Sequence, residues 1–194
     1  LADGQHQIST NAAGVCVNRI GGDGTIAEWY SDGSSIGDIS VASGTISYNG
    51  GHLTRCAKGD GTVSQDILFG TVLSNRDNLI DFGNNSSVKH LNYIGISKVA
   101  GDRCWAGVFQ GWKQNENGNI LDLFDVARKG DFMVRVAPNV KVKNGDLLDS
   151  AGDGTARVQP DQSRLGAETI GKVTSSQTVA TLDDGSRLIA VEIF

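Results

Sequence analysis

Asn49-Gly50-Gly51-His52 is a flexible and chemically reactive tetrapeptide. An asparagine amide can attack its own backbone carbonyl when glycine follows, because the next residue has no side chain to block the approach. His52 carries protons near neutral pH, and Asp66 or Arg55 can orient it. Asn49, Gly50, Gly51, His52 and Asp66 are therefore the candidate catalytic set, for one cut of the chain at its own backbone. The plainer reading of the same residues is a turn beside a packed or solvated histidine.

Other chemistries find less footing. Cys16, Cys56 and Cys104 are far apart and lack zinc-ligand spacing, so they read as reduced, partly buried thiols of a chain made in a cytosol. His6, His52 and His90 are scattered, and no metal site or cofactor is expected. Gly-Asp-Gly-Thr occurs at 22–25, 59–62 and 152–155, with relatives at 31–34 and 184–186. A calcium β-roll needs such motifs in tandem, so these scattered copies read as turns. No P-loop or nucleophile-elbow pattern is present. A net charge of −5 leaves no basic excess for nucleic acid. No apolar run approaches the roughly 18 residues of a membrane span, so no membrane insertion is expected. The first residues contain no leader pattern, and Leu1 in place of Met is expected to mark a piece of a longer chain.

The elements that must position the tetrapeptide are strands. Gly is 26 of 194 residues against 2 Pro, which implies many tight turns. Residues 1–48 read as a β-meander with strands at 15–20, 25–30, 35–41 and 45–48. Asp-Gly and Ser-Gly steps separate them. Its apolar residues, Ile20, Ile26, Trp29, Ile36, Ile39 and Val41, make a weak core. Such a segment either takes burial from a partner chain or completes the sheet of the domain that follows. Residues 49–194 read as a β-barrel or sandwich. Strands are expected at 65–73, 92–99, 104–109, 120–127, 131–136, 155–158, 169–173, 178–182 and 187–194. A hairpin tip is expected at 115–119 and a short helical turn within 161–169. The fold class is all-β: a stalk-like meander, then a barrel- or sandwich-like domain.

Residues 17–41 (Asn18-Arg19, Gly22-Asp23-Gly24, Trp29-Tyr30, Asp32-Gly33, Ile36-Gly37-Asp38-Ile39-Ser40-Val41) resemble the segment preceding the C-terminal intramolecular chaperone of phage tail fibres and tailspikes. The remainder resembles the autoproteolytic chaperone domain of the Bacillus phage pre-neck appendage type. The matching pieces are Gly51-His52, 66–74, 107–109, Gly130-Asp131, 143–149, 152–159 and 169–175. The resemblance spans most of residues 15–191. In that family the cut falls just before an Asp, with a Glu three residues later assisting, and in the marine-phage variants a Ser commonly precedes the His. Here Gly51 stands at the first position and Thr54 at the second.

The resemblance implies a homotrimer, located in the virion tail and made in the host cytoplasm, that aligns an upstream fibre shaft of the same chain and is then cut off or retained. A second class of function stays open: a retained tip for host attachment that binds a receptor or a neighbouring tail protein. Trp29, Tyr93, Trp105 and Trp112 are the aromatic residues suited to that role. A binding tip predicts Trp112 and the 113–119 loop on the outer surface.

Overall fold

Ser43 and Gly44 take positive φ values of 49° and 79°, the two-residue turn whose twist matches the strands it joins. It connects β2 (Ser34–Ala42) to β3 (Thr45–Asn49), and β1 (Gly24–Ser31) pairs along the other side of β2. This is one corner of a computed structural model that describes residues 17–194 except 32–33, 50–52, 81–91 and 115–118. The chain divides into two compact units, Leu1–Gly51 and His52–Phe194.

In the first unit the register sorts residues by face, since directly paired residues share one side of a sheet. Ala27 pairs Ile39 and Val41 pairs Ile46, with Trp29 two residues beyond Ala27. The other face has Thr25, Glu28, Asp38 and Ser40, and the Thr25 hydroxyl donates to Asp38 at 3.3 Å. Asp23 accepts the Ser43 amide at 2.9 Å and ties the first loop to the hairpin turn. No described residue of this unit is buried, and Trp29, Tyr30 and Ile46 are each more than half exposed.

The second unit contains β4 (Leu53–Ala57), β5 (Val72–Leu79), β6 (Asn92–Ile96), β7 (Trp105–Gln114), β8 (Ile120–Val136), β9 (Leu147–Ser150), β10 (Ala156–Val158), β11 (Gly171–Thr181) and β12 (Arg187–Ile193). All nine belong to one hydrogen-bonded sheet that curls into two rings. β8 is common to both. Residues 130–136 pair antiparallel with β12, and the ring runs on through β11, β9 and β10, closed where Ala156 pairs Val136 in parallel. Residues 120–129 pair with β7 on one side and β4 on the other. From β7 that ring runs through β5 and β6, and a parallel bridge from Ile94 to Gly59 returns it to the end of β4.

Each ring has its own core. The first is filled by Phe132, Val134, Val136, Leu148, Ile170, Ile189, Val191 and Ile193, and the second by Leu73, Ile94, Phe109, Phe124 and Val126. Gly130, with φ 116°, sits where β8 passes from one to the other.

Several sequence expectations change. The meander forms a three-stranded sheet in the order β1-β2-β3. Residues 17–20 are not a strand; residues 15–16 lie outside the described set. The strand expected at 65–73 begins only at Val72. Before it, Ser64 and Leu68 carbonyls close turns onto Ile67 and Thr71, and Gly70 packs against the β8 backbone in a left-handed conformation. The strand at 92–99 stops at Ile96, because Ser97 turns inward to buried partners. The pairs expected at 120–127 and 131–136, and at 169–173 and 178–182, are each one continuous strand. β4 and β9 were not anticipated. Residues 161–169 form turns and no helix. The 115–118 part of the expected hairpin tip lies outside the described residues, although Gln114 pairs Ile120 on either side of it.

Phe124 is fully buried, whereas Ile120, on the same strand, is 43 % exposed. Chemical denaturation of Phe124→Ala is expected to show a loss of about 3–5 kcal/mol, and of Ile120→Ala a loss below about 1 kcal/mol. Equal losses would contradict the assignment of the second core.

Candidate functional site

Asn49 is the last residue of β3, its backbone opposite Asp38, and Gly50, Gly51 and His52 lie outside the described residues. The boundary between the two units falls between Gly51 and His52. Asp66 is exposed in the turn that the Ser64 carbonyl closes, and its carboxylate has no partner among the described residues. Arg55, on β4, is half-buried and donates to the Asn92 carbonyl at 3.4 Å, while its Nε is buried without a partner. Burial, and then the neighbouring Arg128 guanidinium, lower its pKa below the usual arginine value. Among the described residues, then, Asp66 and Arg55 share no hydrogen bond or ion pair.

The aromatic candidates separate. Trp112 stands edge-on to Phe124 at 5.4 Å and to Phe109 at 5.9 Å, so it belongs to the second core and not to an outer loop. Trp105 packs on the first core and donates its Nε1 to the Ala167 carbonyl at 3.0 Å. Trp29 is exposed in the first unit, and Tyr93 lines a cleft on the second.

The Asp-Gly motifs have a definite local job. In Asp60-Gly-Thr62, Asp153-Gly-Thr155, Asp161-Gln-Ser163 and Asp184-Gly-Ser186, one carboxylate oxygen accepts both the amide and the hydroxyl of the residue two positions on. An Arg meets the other oxygen in three of them: Arg76 at Asp60, Arg164 at Asp161 and Arg135 at Asp184. These are self-satisfied turns. At 22–25 the aspartate instead reaches the Ser43 amide.

One buried network has no counterpart in the sequence reading. Ser97 donates to Asp102 at 2.7 Å and meets the Ser150 hydroxyl at 2.8 Å. Ser97 has one proton and gives it to Asp102, so Ser150 donates to Ser97. The second Asp102 oxygen accepts the Cys104 amide at 2.8 Å. With each of these groups paired, this network pins the 97–104 loop to β9.

Among the described residues, the clefts of the second unit include a larger and a smaller one. The larger, ≈ 530 Å³, is lined by Arg103, Asp149, Gln159, Asp161, Arg164 and Glu168 among others. Its charges are largely spent on one another: Asp149 pairs with Arg157, and Arg164 with Asp161 and Glu168. The smaller, ≈ 290 Å³, is lined by Asp60, Arg76, Asn78 and Tyr93. They come from three separate stretches: Asp60 follows β4, Arg76 and Asn78 lie two apart on β5, and Tyr93 is on β6. They converge because β5 pairs with β6 and because the Asp60 amide bonds to the Ile94 carbonyl. Only Tyr93 was named from the sequence, since nothing in local spacing marks Arg76 or Asn78.

The architecture is that of an all-β chain with a three-stranded unit and a double-ring unit. Compared with protein-family models, with curated proteins and with solved structures, the chain finds no match.

At Asp60, Asp153 and Asp184 burial is the largest single influence and raises the carboxyl pKa. The hydroxyl and amide bonds, with help from Arg76 or Arg135, outweigh it and leave the pKa lowered. At Asp161 the Ser163 hydroxyl leads the lowering. A folded value below the unfolded one means stability that is present at higher pH and lost as pH falls through the folded value. The melting temperature should therefore hold from neutral pH down to about 5 and fall once pH drops below about 4. A flat profile into stronger acid would show that these turns carry no pH-dependent stability.

Proposed function

We propose that this chain is the trimerisation and assembly region of a phage tail fibre or tailspike, an intramolecular chaperone that brings three upstream shafts into register. The observation that carries the reading is the first unit: a three-stranded sheet with an Ala27, Trp29, Ile39, Val41 and Ile46 face and, among the residues whose burial is described, none that is buried. A sheet of that size is not stable alone in water, so copies of itself are the natural cover. The second unit, with two filled cores, is the part able to fold first and to nucleate the trimer.

The resemblance stated above supports the same role. It also proposes the junction at 49–52 as a cleavage point, and the unit boundary at Gly51/His52 is compatible with that. The assembly role does not depend on the cut, because Gly51 and Thr54 stand where the family's cutting side chains would be.

Light scattering is expected to give three times the 20.4 kDa chain mass at micromolar concentration. Trp29→Ser with Ile46→Ser should weaken that assembly at least about tenfold. A stable wild-type monomer would overturn the reading. For the junction, intact mass of the chain carrying upstream sequence is followed over time. Two products meeting within 49–52, and lost in His52→Ala, establish self-cleavage, while one lasting uncut species leaves a retained assembly domain.

A further inference from the structure

The smaller cleft collects polar groups that the fold leaves unspent. Arg76 gives its Nε to Asp60 at 2.5 Å and its Nη2 to the Ile96 carbonyl at 3.0 Å, so Nη1 has no partner among the described residues. The Asn78 amide and the Tyr93 hydroxyl have none there either, and Asn78 is exposed. Asp60 is held in place by Thr62 and by Arg76. Beneath this ion pair lies Gly95 of β6, where a Cβ would come within 2.1 Å of Arg76 Nη2 and 2.3 Å of Asp60 Oδ2. The guanidinium and carboxylate therefore lie flat on a strand that has no side chain at that point.

We propose that this cleft binds one neutral pyranose unit of a saccharide. Its C–H face lies against the Tyr93 ring, and adjacent hydroxyls bond to the Asp60 carboxylate, the Arg76 guanidinium and the Asn78 amide. Each alternative ligand class meets a physical objection. The Arg76 charge is already matched by Asp60, so an anion gains little there. A purely apolar ligand would strand the free amide and guanidinium donors, and each stranded group is costly. A polyhydroxyl ring offers donors and acceptors to both, together with an apolar face for an aromatic side chain. The larger cleft lacks an aromatic residue, and its charged groups are mostly paired with each other. This inference is independent of the assembly reading, since all four residues belong to one unit of one chain.

The test is an amide-shift titration of the isotope-labelled full chain with methyl β-galactopyranoside, methyl α-glucopyranoside and methyl α-mannopyranoside in turn. At least one should give saturable shifts, with a millimolar dissociation constant, at Gly95, at the Asn78 side-chain amide and around Tyr93. Tyr93→Ala and Asn78→Ala should each weaken binding at least about tenfold, whereas Tyr93→Phe should stay within about threefold. Arg103→Ala, in the other cleft, should bind as the wild type does. If Tyr93→Ala fails to fold, the exposed Asn78→Ala decides the matter. No saturable shift with any of the three glycosides, or shifts that survive Asn78→Ala, would overturn the proposal. Tighter binding of an acidic sugar such as sialic acid at the same residues would overturn the neutral assignment.

Discussion

The second unit depends on a single strand that serves two barrels. β8 has 17 residues, and its halves have different neighbours: β7 and β4 flank the first, while β12 lines the second and β10 touches its end. Neither ring closes without it. A bend is unavoidable where one strand lines two cores, and Gly130 supplies it without a side chain to clash. Just beyond the bend, Arg135 reaches Thr71, Ser186 and Asp184, tying the segment before β5 and the β11–β12 turn to the same strand. The two cores are coupled through that backbone, so this unit is expected to unfold as one cooperative body.

The first unit is built on the opposite principle. Its strands pair along their length, yet none of its residues whose burial is described is fully buried. Backbone pairing alone contributes little net stability, because each bond replaces one to water. Glu28 directly opposite Asp38 adds repulsion between like charges. The second unit has two filled cores, whereas no residue of the first unit whose burial is described is buried. That contrast is the physical basis for reading the molecule as an assembly element.

The repeated Asp-Gly motifs show how local chemistry is reused. Each turn satisfies its own amide and hydroxyl from one carboxylate oxygen, and the other oxygen is left for whatever cation the fold brings near. At Asp184 that cation is Arg135 and the result is a tie between elements. At Asp60 it is Arg76, and the pair is left facing a cleft beside Tyr93. The same motif is scaffold in one place and a candidate binding surface in another.

Local pattern was enough to read the all-β class, the hairpin turn at Ser43-Gly44 and the turn role of the Asp-Gly motifs, because they depend on residues adjacent in the chain. Strand continuity was misjudged at Gly130, which lies inside β8 without ending it, and at 174–177, a polar stretch inside β11, while Gly70 belongs to the turns that precede β5. The tetrapeptide at 49–52 was singled out by its residue types, and Gly50, Gly51 and His52 lie outside the described residues. Tyr93 was visible as an aromatic residue suited to stacking, while its partners Asp60, Arg76 and Asn78 were not. Long-range pairing of β5 with β6 and the bridge at Gly59 place those four side chains together. Composition and spacing thus determine the strands and turns of this chain, and tertiary pairing alone decides which distant polar groups meet, because register is set by core packing that no local window contains.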